Sequence, residues 1–233
     1  MKNVEPGSSG ILYLVATPIG NLGDLTHRAV EVLKSVDLIA CEDTRHSRIL
    51  FEHYAIRKPL TSLHDHSEKF RAPALVAQVK NGAKVALVSD AGTPGIADPG
   101  FRLVAEAIKE GIRVEIIPGA TALVTALVLS GFALDRFIFE GFMPVKDGQR
   151  RTRLLALKDE ERTVIFYESP HRILRSVTAI RETLGDPEIA VARELTKKFE
   201  EVLRGKASEV EARLAAKKPL GEFVIVLKGP GLR

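Results

Sequence analysis

The sequence predicts an α/β fold made of two domains. Short apolar runs rich in β-branched residues alternate with segments whose apolar residues recur at helical spacing, beginning with "ILYLVA" and "HRAVEVLKSV". Such alternation is typical of a mostly parallel sheet covered by helices. The chain has 233 residues, 45% of them hydrophobic, which suffices for one large core or two modest ones. We therefore expect one α/β domain over residues 1–118 and a second, basic one over residues 119–233.

The expected strands of the first domain are "ILYLVA", "DLIACE", "KVALV" and "RVEIIP", with "HRAVEVLKSV" and "SRILFEHY" as helices. The helix that opens at "PGATALVTALVLSG" lies near the domain boundary. The second series contains "DRFIFEGF", "TVIFYE", the helix "HRILRSVTAIRETLG", "EIAVAREL", "EEVLRG" and "EFVIVLKG". Its last strands are short and hairpin-like, so we expect a mixed sheet there.

Charge and cysteine content narrow the class of protein. Residues 1–145 carry fifteen basic and sixteen acidic side chains, whereas residues 146–233 carry nineteen and fourteen. Because phosphate contacts need clustered cations, the second domain is the candidate for nucleic-acid binding. A single cysteine, Cys41, excludes an intramolecular disulfide and a cysteine-rich zinc site. The sequence shows neither a long apolar run nor a signal-peptide pattern, so we expect a cytoplasmic protein with no membrane partner.

The loop "SDAGTPGIADPG", residues 89–100, is the strongest candidate site, because ligands of α/β proteins bind at the carboxyl ends of strands. Its glycines allow close approach of the backbone to a ligand. Asp90 ends a buried strand, where an acid is normally avoided, and it fits a carboxylate that accepts hydrogen bonds from a ligand. Asp98, followed by Pro99, is predicted to cap the next helix.

Three other loops carry polar residues. "VATPIGNLGDLT" is a tight strand-to-helix turn in which Asp24 or Thr26 can cap the helix; it matches neither a dinucleotide fingerprint nor a Walker A loop. "CEDTRHSR" is either a helix start, with Thr44 as its cap, or a substrate contact, since arginines are unfavourable in a first helical turn. "SLHDHSE" offers two histidines but no third ligand, so we expect no metal and interpret it as a loop with Ser67 as a helix cap.

Seven stretches together resemble one family: "LYLVATPIGNLGDLTHRAVEVLKSVDLIACEDTRHSRIL", "LHDHSE", "VALVSDAGTPGIADPGFRLV", "IPGATALVTAL", "FEGFMP", "VIFYESPHRI" and "ARELTKKFEE". They are similar to the bacterial small-subunit ribosomal RNA (cytidine-2′-O)-methyltransferases, within the tetrapyrrole-methylase-like, S-adenosylmethionine-dependent superfamily (class III). The resemblance covers about residues 11–229. One departure is length, because related proteins often continue past the last strand, and a shorter C-terminus could weaken RNA binding.

The resemblance implies two α/β domains with an S-adenosylmethionine cleft between them, a homodimer, and ribosomal RNA, within the assembled small subunit, as the substrate. By motif, the cofactor would contact nine residues: Pro18, Asp90, Gly92, Thr93, Ile96, Thr121, Ala122, Tyr167 and Leu195.

Methylation of a ribose hydroxyl needs in-line positioning and either a base or a cation that stabilises the developing alkoxide. Candidates at strand ends include Asp43, His171 and Glu194, and the three that we select as catalytic are Arg45, Glu168 and Lys197. "ESPH" also fits a helix start with Ser169 as cap and Pro170 in the first turn. The expected RNA contacts are Arg45, Arg48, Arg150, Arg151, Arg153 and Lys198.

Two other functions remain open at this point. The chain could methylate a small macrocycle such as a tetrapyrrole, although the basic runs argue against a small substrate. It could also be a non-catalytic RNA-binding factor that retains the fold, although the intact glycine-rich loops and Asp90 argue against that.

Overall fold

The chain folds into two α/β units, and the boundary between them lies between Thr121 and Ala122, three residues after the expected position. The computed structural model describes residues 10–229, apart from the side chains of Asp65 and His66. Among these residues no helix is long and apolar enough to cross a membrane.

The first unit is a five-stranded sheet with a helix after each of its first four strands. In chain order the elements are β1 (Ile11–Val15), α1 (His27–Ser35), β2 (Leu38–Cys41), α2 (Thr44–His53), β3 (Leu60–Ser62), α3 (Asp65–Lys80), β4 (Lys84–Val88), α4 (Phe101–Lys109) and β5 (Arg113–Ile117). All strand pairs of this sheet are parallel, in the order β3-β2-β4-β1-β5.

Helices cover both faces of this sheet. Helices α1 and α2 pack on one face through residues such as Leu33 and Phe51, and α3 and α4 pack on the other through Leu75 and Leu103. Alternate strand residues enter the two apolar clusters, as a pleated strand requires. The connections that leave the neighbouring strands β1 and β4 therefore run to opposite faces, which opens a crevice at their carboxyl ends.

The residues at the N-cap positions of α1 and α3 test two predictions made from the sequence. The Thr26 hydroxyl accepts the Ala29 N–H at 3.1 Å, which confirms it as the cap of α1. Helix α3 begins earlier than predicted, because His64 occupies the cap position and the Ser67 hydroxyl, three residues on, accepts the His64 N–H at 3.1 Å. The prediction of Ser67 as the cap is therefore wrong.

The second unit contains a mixed five-stranded sheet. Its elements are α5 (Ala122–Ser130), β6 (Phe137–Phe142), α6 (Asp147–Ala156), β7 (Thr163–Glu168), α7 (Ile173–Leu184), β8 (Glu188–Arg193), β9 (Glu201–Lys206), α8 (Ala207–Ala215) and β10 (Phe223–Leu227). The strand order is β6-β7-β10-β8-β9, and within this sheet only β6 and β7 pair in parallel. Helices α6, α7 and α8 share one apolar cluster with the sheet.

Helix α5 packs against strands β7, β8, β9 and β10 of the second sheet. A residue of β9 donates hydrogen bonds to the carbonyl groups at the carboxyl end of α5. The Nε atom of Arg204 lies 3.0 Å from the Leu129 carbonyl oxygen and 3.3 Å from that of Ser130. The last carbonyls of a helix lack intrahelical donors, and a cation is favoured there by the helix dipole. Arg204 therefore holds α5 on the sheet.

Candidate functional site

The loops that follow β1 and β4 are tied to each other by their backbones. Thr17 and Gly92 exchange two hydrogen bonds, with Thr17 N donating at 2.8 Å and Gly92 N donating at 3.1 Å. The Ser89 hydroxyl donates to the Gly92 carbonyl, and the Thr17 hydroxyl donates to the Ser89 carbonyl, both at 3.1 Å. The glycine-rich loop is thus held in place at the edge of the sheet where a ligand is expected.

A third loop, after β5, joins these two. A Cβ added to Gly119 would lie 3.0 Å from the Cβ of Ala16, and one added to Gly92 would lie 3.6 Å from the Ala120 carbonyl oxygen. Gly92 also has a φ of +80°, which side-chain-bearing residues rarely adopt. The loops that carry the predicted residues Pro18, Gly92 and Thr121 therefore converge at one edge. Thr93 and Ile96 follow Gly92 in the same loop, and the Ile96 N–H donates to the Thr93 carbonyl at 3.2 Å.

Asp90 is half-buried at the end of β4 and links this loop to the start of α2. Its Oδ1 accepts the Asp43 N–H at 3.2 Å. Within residues 10–229, no donor lies within hydrogen-bonding distance of its Oδ2. This oxygen is not among the buried, unpartnered side-chain atoms of the described residues, so it remains accessible, and Asp90 fits a group that accepts a hydrogen bond from a ligand.

Asp98 does not occupy the N-cap position of α4 that the sequence predicted for it. Helix α4 begins at Phe101, with Gly100 at the cap position and a φ of +141°. The Oε1 atom of buried Glu68, on α3, accepts the N–H groups of Gly100, Arg102 and Leu103 at 3.0, 2.9 and 3.1 Å. The prediction of Asp98 as the cap is wrong, because a carboxylate from a neighbouring helix serves these donors and local sequence carries no signal for it.

Replacement of Glu68 by Ala should lower the free energy of unfolding by about 2 kcal/mol, because the first N–H groups of α4 lose their buried acceptor. Urea denaturation measures the loss. Glu68→Gln keeps the shape and an acceptor oxygen and should cost less than half as much; equal losses for the two variants would mean that the negative charge of Glu68, not its acceptor oxygen, stabilises the start of α4.

The stretch "CEDTRHSR" forms the start of α2, with Asp43 rather than Thr44 as its cap. The Asp43 carboxylate accepts the Arg45 N–H at 2.8 Å and pairs with the Arg45 guanidinium, where Nη2 lies 3.0 Å from Oδ2. The hydrogen bond from the Arg45 side chain lowers the pKa of Asp43 to about 2. Asp43 is therefore ionised and only a weak base near neutral pH. Arg45 and Arg48 are exposed, as the predicted contact with RNA requires.

In the second unit, the side chain of Tyr167 contacts the start of α5. The Tyr167 hydroxyl accepts the Leu123 N–H at 3.1 Å, and its ring makes edge contacts with Phe139 and Phe142 at 4.9 and 5.7 Å between centroids. The first N–H groups of a helix have no intrahelical acceptor, so Tyr167 satisfies one of them. The predicted residues Ala122 and Tyr167 thus lie side by side.

Glu168 is buried, and its carboxylate is occupied by three donors. The Arg172 guanidinium lies 2.8 Å from Oε1, which also accepts the Ser169 N–H at 2.7 Å, and the Ser176 hydroxyl donates to Oε2. Helix α7 begins at Ile173, so the predicted cap at Ser169 and helical Pro170 are wrong. These contacts suit a group that positions the start of α7 better than one that transfers a proton.

The loop after β8 has strained backbone around Leu195. Glu194 and Thr196 have φ values of +49° and +65°, and such conformations in residues other than glycine cluster at functional sites. Lys197 Nζ lies 3.0 Å from Glu194 and 2.8 Å from Glu222. Burial lowers the pKa of Lys197, but the hydrogen bonds to Glu222 and Glu194 outweigh burial and leave the pKa raised. Lys197 is therefore a fixed cation.

The predicted RNA-binding residues of the second unit differ in exposure. Arg151, Arg153 and Lys198 are exposed, and Arg153 pairs with Glu140. Arg150 is buried, and its guanidinium donates to the carbonyls of Pro144 and Val145 at 3.2 and 2.9 Å and to Asp147 at 2.9 Å. We correct its assignment accordingly: Arg150 holds the turn before α6 and is not available to RNA.

This difference predicts opposite results for two neighbouring arginines. Arg150→Ala should lower the free energy of unfolding by about 2 kcal/mol, because two carbonyls lose their donor. Arg151→Ala should change it by less than about 0.5 kcal/mol. Urea denaturation separates the two, and a stable Arg150→Ala variant would restore Arg150 as an RNA contact.

No group of three or more His, Cys, Asp or Glu side chains that could hold a metal ion occurs in the part of the chain that the structure describes. Within the "HDH" stretch, the structure describes the side chain of His64 but not those of the two residues that follow it.

The two-sheet architecture agrees with the sequence comparison. The chain belongs to the tetrapyrrole (corrin/porphyrin) methylase family, whose model matches residues 11–211. It is 52% identical to the ribosomal RNA small subunit methyltransferase I of Synechocystis sp. over 221 residues, which are 94% of this chain and 79% of that protein. The protein of the same name from Thermotoga maritima is 49% identical, over 94% of this chain and 99% of that protein. These matches confirm the resemblance in the motifs.

Solved structures support the fold. A diphthine synthase has a TM-score of 0.74 at 15% identity and covers 94% of this chain and 90% of its own. A cobalt precorrin-4 methyltransferase of cobalamin biosynthesis has a TM-score of 0.69 at 18% identity, over 97% and 98%. At these identities the likeness concerns the fold alone, and it confirms the predicted α/β class.

Proposed function

We propose that this protein transfers a methyl group from S-adenosylmethionine to the ribose 2′-oxygen of a cytidine in the decoding region of small-subunit ribosomal RNA. The observation that carries the proposal is the identity of about one half, over nearly the whole chain, to proteins named ribosomal RNA small subunit methyltransferase I. The exposed arginines and lysines of the basic second unit support an RNA substrate.

The residues at the edge of the first sheet fit this cofactor. Asp90 has an oxygen without a donor among the described residues, and ribose hydroxyls and an ammonium group are the donors that such a carboxylate binds. Glycine-rich loops leave backbone groups accessible beside it. We assign cofactor binding to the residues expected from the sequence: Pro18, Asp90, Gly92, Thr93, Ile96, Thr121, Ala122, Tyr167 and Leu195.

When bound, S-adenosylmethionine supplies a methyl group that its sulfonium already activates. The protein then has to position the ribose hydroxyl and to stabilise negative charge that develops on its oxygen. Lys197 suits the second task, because its raised pKa keeps it protonated near neutral pH. Arg45 is a second permanent cation, whereas Glu168 acts through Arg172 as a positioning residue.

Methyl transfer to intact ribosomal particles tests the proposal. Purified protein is incubated with radiolabelled S-adenosylmethionine and small subunits that lack the modification, and the labelled RNA is hydrolysed with alkali. Ribose methylation removes the hydroxyl that attacks the adjacent phosphodiester, so label should appear in an alkali-resistant dinucleotide. Label in mononucleotides would instead mean base methylation, and failure to label RNA while a tetrapyrrole is labelled would mean a small-molecule enzyme.

The proposal also specifies the form of the RNA substrate and the oligomeric state of the enzyme. We expect the assembled small subunit to be methylated faster than naked RNA, because few aromatic side chains are available for base stacking and recognition then depends on phosphates and shape. We also expect a homodimer that acts in the cytoplasm, where this substrate is found. Light scattering during gel filtration measures the oligomeric state, and a monomer at micromolar concentration would contradict it.

A further inference from the structure

A pocket of about 540 Å³ lies within the second unit, and none of the residues assigned to the cofactor lines it. It is formed by the segment after β8, by β9 and by the carboxyl end of α8. Leu203 and Leu214 contribute apolar surface to it. The volume falls in the range of about 300–1,000 Å³ that is typical of sites for small ligands or parts of larger ones.

Positive charge dominates the lining. Arg193, Lys198, Arg213 and Lys217 oppose two acids, Glu200 and Glu201. Glu200 Oε2 accepts the Thr196 N–H at 2.6 Å, and Glu201 lies 3.8 Å from Arg193 Nη1 and offsets part of the charge of that one cation. Within residues 10–229, neither Arg213 nor Lys217 has an ion-pair partner. Cations grouped around a concave surface raise the local concentration of anions.

The guanidinium of Arg193 gives a further indication that the pocket binds an anion. Its side chain is 27% exposed, yet its Nε is buried and makes no hydrogen bond to any residue that the structure describes. A buried donor without an acceptor is unfavourable, and in native proteins such a group calls for an explanation. Phosphate oxygens are suitable acceptors, because the guanidinium presents its N–H groups in a planar fork.

The rim of the pocket carries a large exposed aromatic ring. Phe199 is 64% exposed, and the Nζ atom of Lys198 lies 5.6 Å from the centre of its ring. Exposed aromatic rings beside cations are typical of surfaces that bind single-stranded nucleic acid, where bases stack on the ring and phosphates contact the cations. An isolated inorganic anion would make no use of Phe199.

We propose that this pocket binds one nucleotide of a single-stranded RNA segment, with its phosphate on Arg193, Arg213 and Lys217 and its base stacked on Phe199. The inference rests on the proposed function, since it assigns to the ribosomal RNA substrate an anchoring site that is separate from the cofactor residues. A duplex cannot fill it in this way, because its bases are already stacked.

Fluorescence anisotropy of the full chain with a labelled twelve-nucleotide single-stranded RNA, between 50 and 200 mM KCl, tests the pocket. Phe199→Ala should weaken binding about tenfold with an unchanged salt slope, and Phe199→Tyr should restore it. The double variant Arg213→Ala/Lys217→Ala should reduce the slope of log K against log salt by about 0.7, since the pocket holds one phosphate and each phosphate contact on a single strand contributes about 0.7. Circular dichroism verifies that each variant is folded.

The matched control is Arg175→Ala/Lys158→Ala, which removes the same charge from exposed positions of the same unit outside the pocket. A reduction of the slope as large as that of the pocket variant would overturn the proposal in favour of a diffuse basic surface. It is also overturned if wild-type protein does not bind the RNA at 50 mM KCl, or if inorganic phosphate at 10 mM displaces the RNA while Phe199→Ala binds normally. Methyl transfer to small subunits by the wild-type protein is assayed separately, so that failure of the pocket and failure of the proposed function are distinguished.

Discussion

Asp90→Asn should weaken binding of S-adenosylmethionine about 10- to 100-fold and leave the fold intact. The substitution keeps the shape of the side chain and an oxygen that can accept the Asp43 N–H, but it removes the charge and replaces one acceptor oxygen by a donor. A hydrogen bond to a charged group contributes about 1.5–3 kcal/mol, which corresponds to this range of affinity. Isothermal titration calorimetry measures the dissociation constant.

Asp98→Asn is the matched control for Asp90, because it makes the same change in the same loop at a residue to which we assign no cofactor contact. It should bind the cofactor nearly as well as the wild-type protein does. Thermal unfolding of both variants shows whether any loss reflects the fold. Unchanged affinity in a folded Asp90→Asn variant would remove Asp90 from the cofactor site.

Lys197→Met should reduce the rate constant of methyl transfer about 10²- to 10³-fold while cofactor affinity changes little. The reason is that removal of one group that stabilises a developing oxyanion typically costs this much. Single-turnover transfer to small ribosomal subunits, with the cofactor at saturation, measures the rate constant. Lys109→Met, at a surface lysine of α4, provides the control for loss of a positive charge.

The pH dependence separates a cation from a base at position 197. The two neighbouring carboxylates raise the pKa of Lys197 above its ordinary value of 10.5, despite the opposing effect of burial. Its charge, and the stability that the ion pairs contribute, are therefore fully present below pH 10.5 and are lost only as the pH rises through the raised pKa. We expect no contribution from Lys197 to the rate profile between pH 7 and 9. A rate that rises through this range in the wild type but not in Lys197→Met would instead identify Lys197 as the base.

The secondary structure was the part of the fold that the sequence predicted best. Apolar alternation indicated every strand except β3, which has only three residues, and part of the helices of both units. The glycine-rich loop after β4 was identified as a candidate site before its contacts were known. The reason is that these features are local: the period of apolar residues and the positions of glycine and proline depend on a few consecutive residues.

The roles of individual charged residues were predicted less well. Glu68 lies more than thirty residues before the N–H groups of α4 that it caps, so Asp98 was assigned a place that Glu68 fills. Glu222 completes the environment of Lys197 across a similar gap in sequence. Glu68 ends the stretch "LHDHSE", but neither this stretch nor the residues around Glu222 indicate the partner of the acid. Only the packing of α3 and the pairing of β10 with β8 bring the two acids to their partners.

What the sequence by itself determined is the α/β class, the family and the loops at the strand ends, because these depend on local pattern and on long shared motifs. The tertiary structure alone decided which charges are available. Arg150 and Arg151 are adjacent and chemically identical, yet the turn before α6 buries the first guanidinium and leaves the second exposed. Burial and hydrogen bonding to distant groups set the free energy of a charge, and both arise only when the chain has folded.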